Sequence, residues 1–138
     1  MHLEFLTPQQ VRQLNASCLT PTEDCVVRDE KALLAATERP QCGTQGEYFF
    51  KTIPEQGAVL LDGLVRYHPF EQGNKRTAVA ALETFLTRHD YLLVANDDEK
   101  ESLVVQIAQS QLRTEDVIAW VVSRVEPFAG SSEADTSV

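Results

Sequence analysis

Apolar residues recur three and four positions apart along most of the chain, the period of an amphipathic helix rather than the alternation of a strand. Six such runs are separated by polar punctuation. Thr7-Pro8-Gln9-Gln10 combines an N-cap, a first-turn proline and a capping-box glutamine, and Val11 and Leu14 follow at helical spacing. A second helix is predicted from near Asp29, carrying Ala32, Leu33 and Ala36 until Pro40 stops it. Thr52-Ile53-Pro54-Glu55 is another capping box with proline; it opens the most apolar run, through Ala58, Leu61, Leu64 and Val65, which Pro69 ends. Ala78, Ala81, Leu82 and Phe85 mark a fourth helix. Asn96-Asp97 caps a fifth, with Leu103, Val104 and Ile107 on one face. Thr114 with Glu115 and Asp116 opens a sixth, carrying Val117, Ile118, Val121 and Val122. Strand signals are few: Tyr91-Leu92-Leu93-Val94 reads as a short extended segment, and Cys42–Lys51, with two glycines before three consecutive aromatics, as a small hairpin or an ordered loop. The fold class is mainly α.

At 138 residues the chain has the length of one ordinary domain. We assign residues 1–126 to it and read 127–138, ending in the polar stretch Gly130–Val138, as a disordered tail. No run approaches the roughly 20 apolar residues of a membrane helix. The formal net charge of −9 argues against general nucleic-acid binding. Cys18, Cys25 and Cys42 form no CxxC pair and are odd in number, which disfavours a disulfide framework or a zinc knuckle and fits the reducing cytoplasm.

One segment breaks the helical rhythm: His68-Pro69-Phe70-Glu71-Gln72-Gly73-Asn74-Lys75-Arg76-Thr77, set between the two runs that form the middle of the core. Gly73 and Asn74 fall at the start of the fourth helix, where unpaired backbone N–H groups and the helix dipole attract an anion, and glycine allows close approach to the backbone. Lys75 and Arg76 oppose the dipole there, so their presence points to phosphate, with Arg76 suited to a bidentate contact. The acidity of the chain lies elsewhere, since Ala58–Tyr91 holds four bases and four acids. His68 is the candidate general base, because imidazole as a group titrates near neutral pH; Pro69 fixes the chain after it, and Phe70 is the predicted core anchor. A base facing a phosphate chain is the minimum equipment for moving a phosphoryl or nucleotidyl group to a hydroxyl. His2 and His89 are read as ordinary surface or capping residues.

HPFEQGNKRTA resembles the Fic/Doc signature, His-x-Phe-x-(Asp/Glu/Asn)-(Gly/Ala)-Asn-x-Arg, at His68, Phe70, Gly73, Asn74 and Arg76. Arg28-Asp29, Leu33-Leu34 and Arg39-Pro40 are similar to the RD…LL…RP stretch of the small death-on-curing proteins. Tyr48, the helix through Ala58–Arg66, Thr84-Phe85-Leu86 and Glu115–Trp120 extend the likeness over residues 4–125. The resemblance implies a compact helical fold with a flap, here matched by Cys42–Lys51, beside the active loop, where a target segment lies against its edge. It makes His68, Lys75 and Arg76 the catalytic residues, and Gly73, Asn74, Lys75 and Arg76 the ligands of the nucleotide phosphates. ATP and Mg2+ are the implied co-substrate and metal.

Within that family, AMP-transferring members usually carry Gly-Asn-Gly and a second arginine three positions after the first. Lys75 and Val79 stand at those places. Lys75-Arg76-Thr77-Ala78 is instead similar to the death-on-curing branch, whose best-known members are bacterial toxins that phosphorylate translation elongation factor Tu and are silenced by a small antitoxin. The resemblance thus implies a phosphotransferase toxin with a protein substrate and an antitoxin partner. AMP transfer and a silent binding module are the alternatives. The family's metal-binding carboxylate falls at Gln72, a weak neutral ligand at best for Mg2+. No Ser/Thr-x-x-x-Glu inhibitory pattern occurs, and Thr20…Glu23 and Thr52…Glu55 read as helix caps, so silencing is expected from another polypeptide.

Overall fold

A computed structural model describes residues 3–128 and contains six α-helices: α1 (Pro8–Cys18), α2 (Glu30–Glu38), α3 (Ile53–Tyr67), α4 (Asn74–Arg88), α5 (Asp97–Ala108) and α6 (Thr114–Val122). The polar punctuation starts them as its chemistry dictates. Thr7, Thr52 and Asn96 each accept from the backbone N–H three residues on, while Gln10, Glu55 and Glu99 reach back to close the capping box. Asp29 caps α2 through Ala32 N–H. In α6 the cap is Arg113 rather than Thr114, because the Thr114 hydroxyl donates to buried Asp62 instead.

Helix α3 is the axis of the molecule. Residues Ile53–Val65 are buried on every side except at half-buried Glu55, with α4, α6 and α2 packed around them. Gly57 permits the closest approach: a Cβ there would lie 2.9 Å from Leu82 Cδ1 of α4. The all-round burial includes one charge, Asp62, fully enclosed, which accepts from Arg39 (2.8 Å), Arg66 (2.8 Å) and Thr114 (3.0 Å). A buried carboxylate with two arginines and a hydroxyl has its charge and lone pairs satisfied, so it ties α3 to the 3₁₀ turn Arg39–Gln41 and to α6.

Two small hairpins complete the chain. Strands β1 (Gly43–Thr44) and β2 (Glu47–Tyr48) are joined by Gln45 and Gly46, both at positive φ, as a two-residue turn requires. The hairpin forms where the sequence placed it. Tyr48 packs on Phe5, 5.5 Å between centroids, and Phe5 stacks on Phe85 near the end of α4. The hairpin's Tyr48 end thus reaches the far end of α4, while the 3₁₀ turn that leads into it lies at the His68 end of α3, with Arg39 over the Tyr67 ring at 5.9 Å. The backbone beside the loop is the segment before α2: Val27 forms a bridge with Phe70, and Glu71 N–H donates to Val26 O. The second hairpin pairs β3 (Tyr91–Leu93) with β4 (Val125–Pro127), and Phe128 N–H donates to Asp90 O. Ordered pairing thus runs past residue 126, the boundary expected from composition; the remainder of the expected tail, 129–138, lies outside the described residues, as does His2.

Candidate active site

Helix α3 ends at His68, whose backbone is left-handed (φ 52°, ψ 57°). Glycine is usual at such a turn, because an L side chain there costs roughly 1–2 kcal/mol. Pro69 follows, and having no N–H it cannot donate back to the last turn as helix-ending motifs do. The freed carbonyls are caught from outside. Arg28 donates from Nε to His68 O at 2.9 Å and from Nη2 to Tyr67 O at 3.2 Å and to His68 O. The backbone N–H groups of Arg28 and Asp29 both donate to Pro69 O, at 2.7 and 3.1 Å.

Phe70 plugs the core with no exposed surface, and its two backbone groups are held by the fully paired amide of Asn74. Asn74 Oδ1 accepts from Phe70 N–H (2.9 Å), and Nδ2 donates to Phe70 O (2.8 Å). Those bonds fix which way the amide points, so it is its nitrogen that lies 3.1 Å from His68 Nδ1. An amide N–H can only donate. Nδ1 is therefore the acceptor, and the neutral ring carries its proton on Nε2.

Gly73 is the N-cap of α4 at φ 80°, with no side chain to cap the helix, so the first-turn N–H groups stand open to an anion. The missing Cβ would point at α1, not at solvent: it would lie 2.9 Å from Leu19 Cδ2 and 3.2 Å from Asn15 Nδ2. Glycine is thus demanded by φ and by packing against α1 rather than by ligand approach. Asn15, fully buried, donates to Gln72 O (2.9 Å) and Thr77 Oγ1 (3.0 Å), stapling the loop from behind; its Oδ1 has no partner.

Arg76 departs from the simplest expectation. It donates to Cys18 O at 2.8 Å, the last carbonyl of α1, and grips the Glu23 carboxylate at 3.2 and 3.1 Å. A cation at the C-terminus of α1 is favourable, which explains an arginine that α4 alone would disfavour. The hydrogen bond from Arg76 holds the Glu23 carboxyl below its ordinary range, with Thr20 N–H adding to it, and the same bond raises Arg76. Thr20…Glu23 therefore caps no helix; it closes a turn that aims Glu23 at Arg76. Thr52…Glu55 does cap α3.

Two cavities meet at Asn74 and Lys75. One of about 550 Å³ lies between α4 and α5 and is also lined by Gly73, Arg76, Val79, Asp97, Lys100 and Glu101. The other, about 450 Å³, holds His68, Arg66 and Ser110. Their volumes are of the size of small-molecule sites. His68, Gly73, Asn74 and Lys75 are thus brought together as predicted, while Arg76 borders the larger cavity with its guanidinium engaged. Gln72 is exposed and contributes its carbonyl to Asn15. No group of three His, Cys, Asp or Glu side chains that could hold a metal ion occurs among the described residues. At the family's metal position Gln72 offers Mg2+ a neutral amide in place of a carboxylate. His89 is structural: nearly buried, it contacts Phe85 O at 2.8 Å and accepts from Glu4 N–H at 2.9 Å. The loop's supports, Asn15, Glu23 and Arg28, are not visible as site residues in the sequence, because each meets the loop across 40 or more positions. No described helix is long and apolar enough to cross a membrane.

Comparison with known proteins identifies the family. The Fic/DOC family profile matches residues 5–86, which takes in both the motif loop and the α1–α2 segments that brace it. Toxin Doc of Mycolicibacterium smegmatis is 36% identical over 107 residues, spanning 76% of this chain and 81% of that protein. With the histidine, the buried phenylalanine and the glycine-capped helix each at its place in the motif, the chain belongs to the Fic/DOC family.

Proposed function

We propose that this protein is a Doc-like toxin that transfers the γ-phosphoryl group of ATP to a hydroxyl of a protein, elongation factor Tu being the first target to test. The observation that carries the reading is the link made by Asn74. One residue holds the His68 imidazole and opens the helix whose uncapped N–H groups can receive a phosphate, so base and anion site form a single rigid unit. Lys75 adds charge at the partition between the cavities and has no ion-pair partner among the described residues.

In the proposed reaction the target hydroxyl loses its proton to His68 as its oxygen attacks the γ-phosphorus, and ADP leaves. The resting tautomer bears on this step. To accept a proton at exposed Nε2, the ring must first carry its own proton on Nδ1, at the expense of the Asn74 hydrogen bond. That bond is worth about 1 kcal/mol, or about fivefold, small beside the 10²–10⁴-fold typical of general-base catalysis.

The similarity to a protein named as a toxin supports a second chain as the silencer. An acidic segment of such a partner would find Lys75 open, whereas Arg76 already holds Glu23. The test is incubation of elongation factor Tu with ATP followed by intact-mass measurement. Gain of one phosphate, lost in His68→Ala, supports the reading. Gain of one AMP makes the protein a nucleotidyl transferase, and no gain with a folded protein and several candidate targets favours the silent module that Gln72 suggests. Co-expression of a neighbouring small gene should relieve any growth arrest.

A further inference from the structure

Three consecutive carbonyls, those of Tyr67, His68 and Pro69, end α3 without helical partners, and residues 28 and 29 bind all three. The need for such a clamp follows from the sequence. A helix that ends on a left-handed glycine holds itself through the N–H groups that follow; here the left-handed residue is a histidine and the next is a proline. The turn is strained and lacks a local donor, so its shape depends on donors brought from elsewhere. A guanidinium is suited to this, since its fixed fork can reach two neighbouring carbonyls at once.

We infer that Arg28 is a positioning residue for His68: by clamping the last carbonyls of α3 it keeps the left-handed turn and so keeps the imidazole on the Asn74 amide at the mouth of the cleft. The inference rests on the reading that His68 acts on the target hydroxyl. Arg28 itself lines neither cavity and meets His68 only at its backbone carbonyl, which separates its role from phosphate binding. Losing it frees the His68 backbone to leave the left-handed region, and the ring moves with it. Displacements of about 1 Å in a reacting group lower rates by as much as about 100-fold.

The experiment compares Arg28→Ala and Arg28→Lys with the unaltered full chain. Three quantities are read: the transfer rate, ATP affinity by calorimetry, and the His68 ring signals in a long-range 1H–15N spectrum, assigned with His68→Ala. In Arg28→Ala the rate should fall about tenfold or more, ATP affinity should stay within about twofold, and the His68 ring signals should shift or broaden. Lysine, whose ammonium can reach one carbonyl, should recover part of the rate and sharpen the ring signals. An unchanged rate overturns the inference. So does a loss of rate and ATP affinity by the same factor, which would make Arg28 a support for the fold alone. The spectrum decides independently of the reaction: if His68→Ala retains full transfer, the proposed function fails, yet ring signals of Arg28→Ala that match those of the unaltered chain still refute the clamp. Should the alanine variant not fold, Arg28→Lys carries the same criteria at smaller amplitude.

Discussion

Replacing Gly73 with alanine tests the architecture of the anion site with a single carbon. At φ 80° the new side chain meets the left-handed penalty of roughly 1–2 kcal/mol. Its Cβ also lands 2.9 Å from Leu19 Cδ2 and 3.2 Å from Asn15 Nδ2. Leu19 can yield, but Asn15 is fixed by its bonds to Gln72 and Thr77, so overpacking of about 1–3 kcal/mol is the appropriate scale. Stiffening of the unfolded chain returns about 0.4–1 kcal/mol. The net loss should be about 2–4 kcal/mol, seen as a lower urea midpoint at unchanged slope. Pairing the change with Leu19→Ala should recover the part of the overpacking that falls on Leu19 and leave the Asn15 and backbone parts, giving a positive coupling in a double-mutant cycle. ATP affinity should fall as well, because the loop can relieve the clash only by moving the first turn of α4 away from α1. A stability loss under about 0.5 kcal/mol, or no coupling to Leu19, would refute the packing argument.

Asp62→Ala leaves two arginines partly buried without their carboxylate and should cost about 3–5 kcal/mol by chemical denaturation. Glu23→Gln removes the charge that engages Arg76 and should tighten ATP binding in calorimetry; weaker binding would mean that Glu23 orients Arg76 for phosphate. Because Arg76 depresses the Glu23 pKa below its ordinary value of 4.5, the pair's contribution to stability is complete at neutral pH and is lost only as pH falls through the lowered value, and Glu23→Gln should abolish that acid-limb dependence. Gln72→Asp should raise Mg2+-dependent transfer in a labelled-ATP assay, and a slower rate would show a site built around the amide. For neutral His68, 15N spectra should show Nδ1 unprotonated and Nε2 protonated, and Asn74→Ala should mix the two tautomers.

The helices were legible because each begins with a local device: Thr7-Pro8…Gln10, Thr52…Glu55 and Asn96…Glu99 settle their own ends within four residues. Phe70 was legible as an anchor, and His68, Gly73 and Asn74 as one site, because they share one loop. What the sequence hid is whatever depends on a distant partner. Glu23 looked like a cap because its spacing from Thr20 is a cap's spacing; only the approach of Arg76, 53 positions on, gives it another role. The hairpin at Gly43–Tyr48 was found from its glycines, but nothing local says what its aromatic packs on. That was decided by Phe5, which draws Tyr48 toward Phe85.

The misfits in the motif loop have one explanation in common. An arginine in the first turn of α4, a histidine in a glycine's conformation, a proline where a donor is needed and a glycine with no side chain to cap the helix are each unfavourable locally. Each is answered from residues 15–29: Cys18 O and Glu23 for Arg76, Arg28 for His68, Arg28 and Asp29 for Pro69, and Asn15 and Leu19 behind Gly73. The loop and the α1–α2 connection are therefore complementary halves of one device. The loop keeps the conformation that exposes open N–H groups and an imidazole only because the other half absorbs its unsatisfied backbone and its excess charge. Substitutions in residues 15–29 should consequently affect transfer as strongly as many within the motif itself, even where they touch no ligand.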